Sequence, residues 1–491
     1  MHKLLIFFLL FAAGCTAVGP DYTQPKSEVP QGWNQIKDPA LLPDRIKITN
    51  WWTLFNDPTL NQLIKKATRQ NLNLRAAAAR VEEARAQLRA ARGGYLPEAN
   101  ADGSVSRQES RASALDPDGT LDTYYSAGMD ASWELDLFGR IRRSVEASSA
   151  EFQATEEDRV DIMISMYAQV AGTYINIRTL QTRIKTALEN ITSQKEILKL
   201  TKSRFKYGLA TDLDVAQAEQ VLANTKARIP PLRIQLAETK NSLGTLLAQP
   251  PGAVDKILEE SAPIPLPPER VAAGVPADLL RQRPDIRGAE RRLAAQTARI
   301  GMATAELYPR FSLVGSIGYM HTDLNDLFIP ASRAFSFGPS LGWNIFSGGK
   351  LRAQIDVEDA RTKQALLTYE QTVLTALSEA ENAMTGHIQQ KIRLRALQDS
   401  VRASKRSLKL SEKLYKDGLS DFQNVLDAQR ELFSAEDQLD QARGNAALYM
   451  VSLYRALGGG WDPVTRKSGV YSVDKTQEIK TENSADKGEQ E

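Results

Sequence analysis

The sequence predicts an internally duplicated α+β membrane protein in which each half supplies two amphipathic strands and one long helical hairpin. Three observations carry this reading. The chain matches itself at an offset of 210 residues, two helical stretches are too long for a globular interior, and four short segments alternate apolar with polar residues.

The duplication is read from paired motifs. Phe205-Lys206-Tyr207-Gly208-Leu209 matches Tyr415-Lys416-Asp417-Gly418-Leu419, Trp133 falls on Trp343, and Gly139-Arg140-Ile141-Arg142 falls on Gly349-Lys350-Leu351-Arg352. Upstream the offset is 212, with Leu96-Pro97 on Tyr308-Pro309, so two residues were gained or lost where a loop tolerates it. A period of about 200 residues is too long for a solenoid repeat.

Taken in order, His2-Lys3, an apolar run from Leu4 to Ala13 and small residues before Cys15 have the layout of a secretory signal, residues 1–14, with lipidation at Cys15. Residues 15–56 form an extended lipidated segment, repeat 1 covers 57–250, a Pro-rich linker 251–275, repeat 2 276–457 and a polar tail 458–491. Repeat 1 opens with Asp57 as N-cap and Pro58 at the first helical position, and its helix runs to about Arg92. The matching helix of repeat 2 runs from about Pro276 to Leu307. Leu96-Pro97 and Tyr308-Pro309 end these helices, because a residue before proline is pushed to extended geometry.

Strands follow, in hairpins over about 95–138 and 309–347. From Met129 to Leu137 the odd positions are Met129, Ala131, Trp133, Leu135 and Leu137, while Asp130, Glu134 and Asp136 put an acidic face opposite. Phe335, Phe337, Leu341, Trp343 and Ile345 alternate with small and polar residues in repeat 2. Residues 140–206 contain no proline, and such a helix reaches about 100 Å at 1.5 Å per residue. Heptad seams at Ile184, Ala187, Ile191, Gln194, Leu198, Thr201 and Phe205, and at Leu394, Leu397, Val401, Ser404, Leu408, Ser411 and Tyr415, predict coiled-coil hairpins. Gly208 and Gly418 permit the reversals into return helices from about Thr211 to Ala248 and Asp421 to Leu457.

Four strands cannot close a barrel, which needs about eight, and open edges are not tolerated in lipid. The chain is therefore expected to oligomerise, two copies giving eight strands and three giving twelve. The acidic face of Asp130, Glu134 and Asp136 is expected to line the pore, and the aromatic face to meet lipid.

Composition narrows the function. With 62 Lys+Arg against 60 Asp+Glu, the net charge of +2 gives no reason to expect nucleic acid. No stretch after residue 13 approaches the roughly 18 apolar residues of a spanning helix, so a bilayer is entered by strands or a lipid. Three histidines and one cysteine leave no residue set for a metal cluster, a disulfide framework or Cys/His catalysis. Gly348-Gly349-Lys350 lacks the first glycine and the Ser/Thr of a phosphate loop. Neither an enzyme nor a cofactor is expected.

The sequence resembles the TolC-like outer-membrane efflux channels, in particular their lipoprotein branch associated with resistance-nodulation-division pumps. The likeness covers nearly the whole chain and rests on Cys15 with Val18-Gly19-Pro20-Asp21-Tyr22, Trp51-Trp52-Thr53-Leu54-Phe55-Asn56-Asp57-Pro58, Trp133-Glu134-Leu135-Asp136-Leu137-Phe138-Gly139-Arg140, Arg283-Pro284-Asp285-Ile286-Arg287 and Gly342-Trp343-Asn344-Ile345-Phe346-Ser347-Gly348-Gly349. The resemblance implies a homotrimer with one twelve-stranded barrel, continued by a periplasmic helical barrel. It also implies lipid anchoring in the outer membrane, a periplasmic adaptor and an inner-membrane transporter as partners, and a passive exit for small molecules such as drugs or toxic organics. By the same resemblance Asp214, Tyr415, Gln423, Asn424 and Asp427 fall at the gate, and Gly208, Leu209, Gly418 and Leu419 at adaptor-docking tips. Asn424 and Ser420 stand where some members carry aspartate and arginine, and Gln423 where a pump-associated member has leucine. Two other readings stay open at this point: a protein-secretion duct, and a periplasmic adaptor or structural lipoprotein without a pore.

Overall fold

The computed structural model describes residues 17–26, 29–35, 41–42, 49–110, 120–266, 271–272 and 276–461. The signal, the lipidation residue Cys15 and the tail beyond Trp461 lie outside the described residues. The chain divides into two compact units, each built from three segments.

The first unit comprises Met1–Gln31, Gln70–Met163 and Arg283–Ser378. It holds an antiparallel sheet of β2 (Glu98–Ser110), β3 (Thr120–Leu135), β5 (Arg310–His321) and β6 (Arg333–Gly342), in the order β2-β3-β5-β6. The two hairpins have one register. Glu98 faces Ser132 and Arg310 faces Gly342, so the first strand is displaced by 212 positions and the second by 210, the two offsets read from the sequence. Side-chain contacts repeat with it: Ser104 and Ser126 hydroxyls meet at 2.8 Å, and those of Ser316 and Ser336 at 2.9 Å. Trp133 Nε1 donates to Tyr95 O at 3.0 Å and Trp343 Nε1 to Leu307 O at 3.1 Å. Each indole thus fastens an outgoing strand to the carbonyl two residues before the proline that starts the incoming one. Across all four strands the odd positions share one face, which carries Met129, Trp133, Phe311, Ile317, Phe335 and Phe337, and the even positions share the polar one.

The helices that open each repeat start and stop for local reasons. The helix expected to run unbroken to Arg92 divides after α1 (Pro58–Gln70), because the Asn71 side chain accepts from Leu74 N at 3.0 Å and caps α2 (Leu72–Gly93). Its counterpart divides at Arg283-Pro284 into α6 (Pro276–Gln282) and α7 (Pro284–Ala305). Val18-Gly19-Pro20-Asp21-Tyr22 is clipped against α7 and the start of α3 (Arg140–Lys206). Buried Arg143 donates to Val18 O and Gly19 O, each at 3.2 Å, and pairs with Asp21 at 2.8 Å, while Tyr22 donates to Glu290 at 3.0 Å. Gly19 packs directly on Gly301, where a Cβ would come within 2.5 Å of the opposing backbone.

The second unit comprises Gly32–Arg69, Ile164–Gln282 and Glu379–Glu491. A two-residue parallel pair joins β1 (Leu41–Leu42) to β4 (Val271–Ala272). A 3-10 turn at Trp51–Phe55 buries Trp51 against Tyr454, and Asp57 both caps α1 and accepts from Tyr174 at 2.7 Å. The rest is coiled coil. α3 and its counterpart α8 (Lys350–Lys416) each run 67 residues without interruption. The return helix of repeat 1, expected to be continuous, divides into α4 (Asp212–Ala227) and α5 (Ile229–Leu246), because Pro230 and Pro231 supply no N–H at the start of α5. At the matching positions α9 (Phe422–Ala456) has Asp440 and Gln441 and stays unbroken. Ala187, Ile191 and Val401, three positions of the predicted seams, are buried in two clusters, the first with Leu222, Ile229 and Phe433 and the second with Leu432, Ala435 and Leu439 of the return helices.

Candidate functional site: the hairpin tips and the polar strand face

Both tips end α-helices in the same way. Gly208 N donates to Phe205 O at 2.9 Å and Leu209 N to Arg204 O at 2.8 Å; Gly418 N donates to Tyr415 O at 3.1 Å and Leu419 N to Leu414 O at 2.8 Å. These are paired Schellman bonds, which require a left-handed residue at the reversal. Glycine supplies it, with φ of +71° at Gly208 and +72° at Gly418. Neither glycine has another atom near the place of a Cβ, and Leu209 and Leu419 are 64% and 75% exposed. The tips therefore present two unshielded leucines on rigid turns.

Beyond the turns the repeats diverge. Thr211 N donates to the Asp214 carboxylate at 2.8 Å and Asp214 N to the Thr211 hydroxyl at 3.2 Å, a reciprocal capping box that starts α4. The Asp214 carboxylate thus has a local structural role at the helix N-terminus, a role readable from the Thr-x-x-Asp spacing. At the equivalent positions of repeat 2, Asp421 makes no side-chain cap and Asn424 donates to the Ser420 hydroxyl at 2.9 Å. Gln423 Nε2 donates to Asp427 at 2.9 Å, one helical turn on, and Arg430 approaches the same carboxylate at 3.5 Å. Gln423, Asn424 and Asp427 are all exposed.

Tyr415 is placed differently from these polar residues. It is 5% exposed, inside a cluster with Ile197, Ala218, Val221, Phe422, Val425 and Leu426, whereas its repeat-1 counterpart Phe205 is 46% exposed. The Arg204 guanidinium lies over its ring, 4.6 Å from the centroid, and also donates to Lys416 O at 3.1 Å. Burial pushes the Tyr415 hydroxyl above its ordinary pKa. Arg204 thereby joins the end of α3 to the end of α8, a link that the heptad pattern does not announce.

On the sheet, Asp130 accepts from Asn100 at 3.3 Å on the exposed polar face. Glu134 lies on that face too, but its carboxylate is held by Arg140 at 2.9 and 2.6 Å. The expectation for Asp136 is corrected: β3 ends at Leu135, and Asp136 turns to α3, accepting from Ile141 N at 2.9 Å and Arg142 N at 2.8 Å. Unpaired N–H groups at a helix start attract a carboxylate more strongly than strand alternation can orient it. Among the described residues no cluster of metal-ligating side chains is present, and no helix is long and apolar enough to cross a membrane.

Comparison with known proteins matches this architecture. The profile of the outer membrane efflux protein family fits twice, over residues 63–249 and 275–459. The chain is 35% identical over 472 residues to the solvent efflux pump outer membrane protein SrpC of Pseudomonas putida, covering 94% of this chain and 98% of that protein. Among solved structures, the outer-membrane channel OprN superimposes with a TM-score of 0.85 at 37% identity, covering 91% of this chain and all of that one. The Neisseria gonorrhoeae MtrE outer membrane channel in its open state superimposes at 0.79 with 31% identity, covering 91% and 99%. The fold is the TolC-like one, in which four strands per chain complete a trimeric barrel continued by helical hairpins. The chain belongs to the outer membrane efflux protein family and is the outer-membrane channel component of an efflux system, extending into the periplasm.

Proposed function

We propose that this channel is the passive exit duct of a tripartite pump for small organic molecules, drugs and toxic solvents, working with a periplasmic adaptor and an inner-membrane resistance-nodulation-division transporter. The observation that carries the substrate class is similarity, 35% identity over nearly the full length, to a solvent efflux pump protein. The exposed Leu209 and Leu419 on rigid glycine turns are suited to receive an adaptor, because they offer apolar contact at little conformational cost. Gln423, Asn424 and Asp427 form the polar face from which a gate is built, and Cys15 carries the lipid anchor. Converging carboxylates from several subunits favour cations.

The test is complementation. Expressed with a periplasmic adaptor and a resistance-nodulation-division transporter in a Gram-negative strain lacking its own efflux channels, the chain should restore resistance to toluene and to amphiphilic antibiotics. Restoration of secreted-protein export without resistance would overturn the small-molecule reading. The wild-type protein should incorporate labelled palmitate and Cys15→Ser should not; label retained in Cys15→Ser would remove the anchor assignment.

A further inference from the structure

Charge is distributed unevenly over the two faces of the sheet. Among the described strand residues the odd, apolar face carries four side chains that hold a charge or an imidazole: Arg107 and Glu109 on β2, His321 on β5 and Arg333 on β6. All four lie at the strand ends remote from the helices, whereas the even face spreads Glu98, Asp102, Asp122, Asp130 and Glu134 along its length. The ends that join the helices face the periplasm, so the four belong to the outer rim.

The height of this rim follows from strand length, since a strand spans the hydrocarbon in about 9–11 residues. β6 offers 10 residues from Arg333 to Gly342, and Trp343, just beyond, marks the inner interface by donating to Leu307 O. β5 has 12 residues from Arg310, which puts Tyr319 and His321 where the hydrocarbon ends. Register agrees, because Tyr319 stands opposite Arg333 and Arg107 opposite Thr123. Under the shifts of 212 and 210, Arg107 falls on Tyr319 and Thr123 on Arg333. Both hairpins therefore hold an arginine on the same rung, but on different strands of it. The two arginines are not copies of one residue.

The second hairpin builds the fuller site. Arg333 is exposed, and among the described residues no carboxylate pairs with its guanidinium, whereas Glu109 follows Arg107 on the same face of β2. His321 Nδ1 accepts from Asp323 N at 3.0 Å, and a neutral ring that accepts there carries its proton on Nε2. The Asp323 carboxylate is itself committed, accepting from Asn325 N at 2.9 Å. Phe328 folds back onto Tyr319, ring centroids 5.4 Å apart, in a loop pinned by the Ser332 hydroxyl donating to Asp326 O at 2.8 Å. Below this rung the same face is apolar, with Ile317, Phe335 and Phe337 exposed. A guanidinium, a phenol and an imidazole thus stand directly above a surface suited to acyl chains.

We propose that Arg333, Tyr319 and His321 bind the phosphate of a glycolipid headgroup in the outer leaflet, with Phe328, Phe335 and Phe337 against its acyl chains. Arginine stays charged at this height and offers parallel N–H donors that match phosphate oxygens. Tyr319 lies across the rung and His321 about 7 Å further along the same face, within the span of one headgroup.

The experiment captures the full-length trimer on affinity resin in detergent, with EDTA present so that no divalent cation bridges, and equilibrates it with radiolabelled bisphosphorylated lipid A. Arg333→Ala should lower the retained lipid about tenfold through loss of a charge-assisted contact, and Arg333→Lys should recover part of it. His321→Ala should lower it about threefold, as expected for one hydrogen bond, and decides the matter where Arg333→Ala does not assemble. Dephosphorylated lipid A should bind wild type and Arg333→Ala alike and more weakly, and inorganic phosphate at matched concentration should not displace the label. Equal retention by wild type, Arg333→Ala and His321→Ala, with the trimer intact on a native gel, overturns the site. Dephosphorylated lipid A retained as well as the bisphosphorylated form overturns phosphate recognition, and displacement by inorganic phosphate overturns the lipid as its source.

Discussion

The guanidinium of Arg204 lies 4.6 Å from the centroid of the Tyr415 ring and donates to the carbonyl of the next residue, Lys416, at 3.1 Å. One side chain at the end of α3 thus holds two consecutive residues at the end of α8. The backbone of Arg204 is committed as well, since its carbonyl accepts from Leu209 N at the first tip. Replacing it by alanine keeps that backbone bond and removes both side-chain contacts. A cation-π contact and a hydrogen bond from a charged donor are each worth about 1 kcal/mol, so Arg204→Ala should speed amide hydrogen exchange at residues 415–422 by roughly thirtyfold. Tyr415→Ala should act on the same amides more strongly, by opening a cavity of about 3 kcal/mol cost in the cluster of Phe422, Val425 and Leu426. Unchanged exchange in Arg204→Ala would show that the two hairpins are held by other contacts.

Asp214 and Asp427 separate by what their carboxylates do. Asp214 closes a capping box with Thr211, so Asp214→Ala should destabilise the start of α4 by about 1 kcal/mol, read as faster exchange over 211–218. Asp427 is exposed, with Gln423 and Arg430 beside it, so its loss should leave folding untouched and reduce cation preference in planar-bilayer recordings. Equal cation selectivity in wild type and Asp427→Ala would take Asp427 out of the permeation path.

Gly418 tests the tip. Its φ of +72° costs a residue with a Cβ about 1–2 kcal/mol, but there is open space around it. Gly418→Ala should therefore retain drug and solvent resistance with a slightly less stable turn. Gly418→Trp bears the same backbone cost and adds bulk beside Leu419, so it should abolish resistance while the trimer persists on a native gel. Full resistance in Gly418→Trp would exclude this tip as the docking surface.

The duplication made much of the fold legible, because the strand and helix-end motifs were seen twice: the hairpin registers obey the two sequence offsets, and both long helices end at their glycines. Local polar competition was harder to read. Asn71 interrupts a helix whose apolar spacing runs straight through it, and Asp136 leaves an alternating strand to cap α3. In both cases a side-chain oxygen satisfies backbone N–H groups that periodicity does not register. Arg204 lay outside the sequence reading because its partners are the ring and backbone of a helix more than 200 residues away, which no spacing rule connects.

Asp440 gives a pH dependence whose sign follows from its burial. The carboxylate lies in the coiled coil, accepts from the Thr186 hydroxyl at 2.6 Å and faces Arg443 at 3.2 Å; Arg183, Glu436 and Asp437 carry the nearby charges. Desolvation outweighs these partners and raises its pKa above the ordinary aspartate value. A raised pKa means that the folded state binds the proton more tightly than the unfolded chain does. The stability this proton contributes is fully present below the unfolded pKa near 4 and is lost as pH rises through the folded value. Asp440→Asn keeps an acceptor for Thr186 and removes the charge that burial opposes. Thermal unfolding of the variant should therefore occur at higher temperature than wild type at pH 7, with the difference shrinking toward zero near pH 3.5. A variant less stable than wild type at pH 7 would mean that attraction to Arg443 outweighs the burial cost, and that the charge itself holds α9 in place.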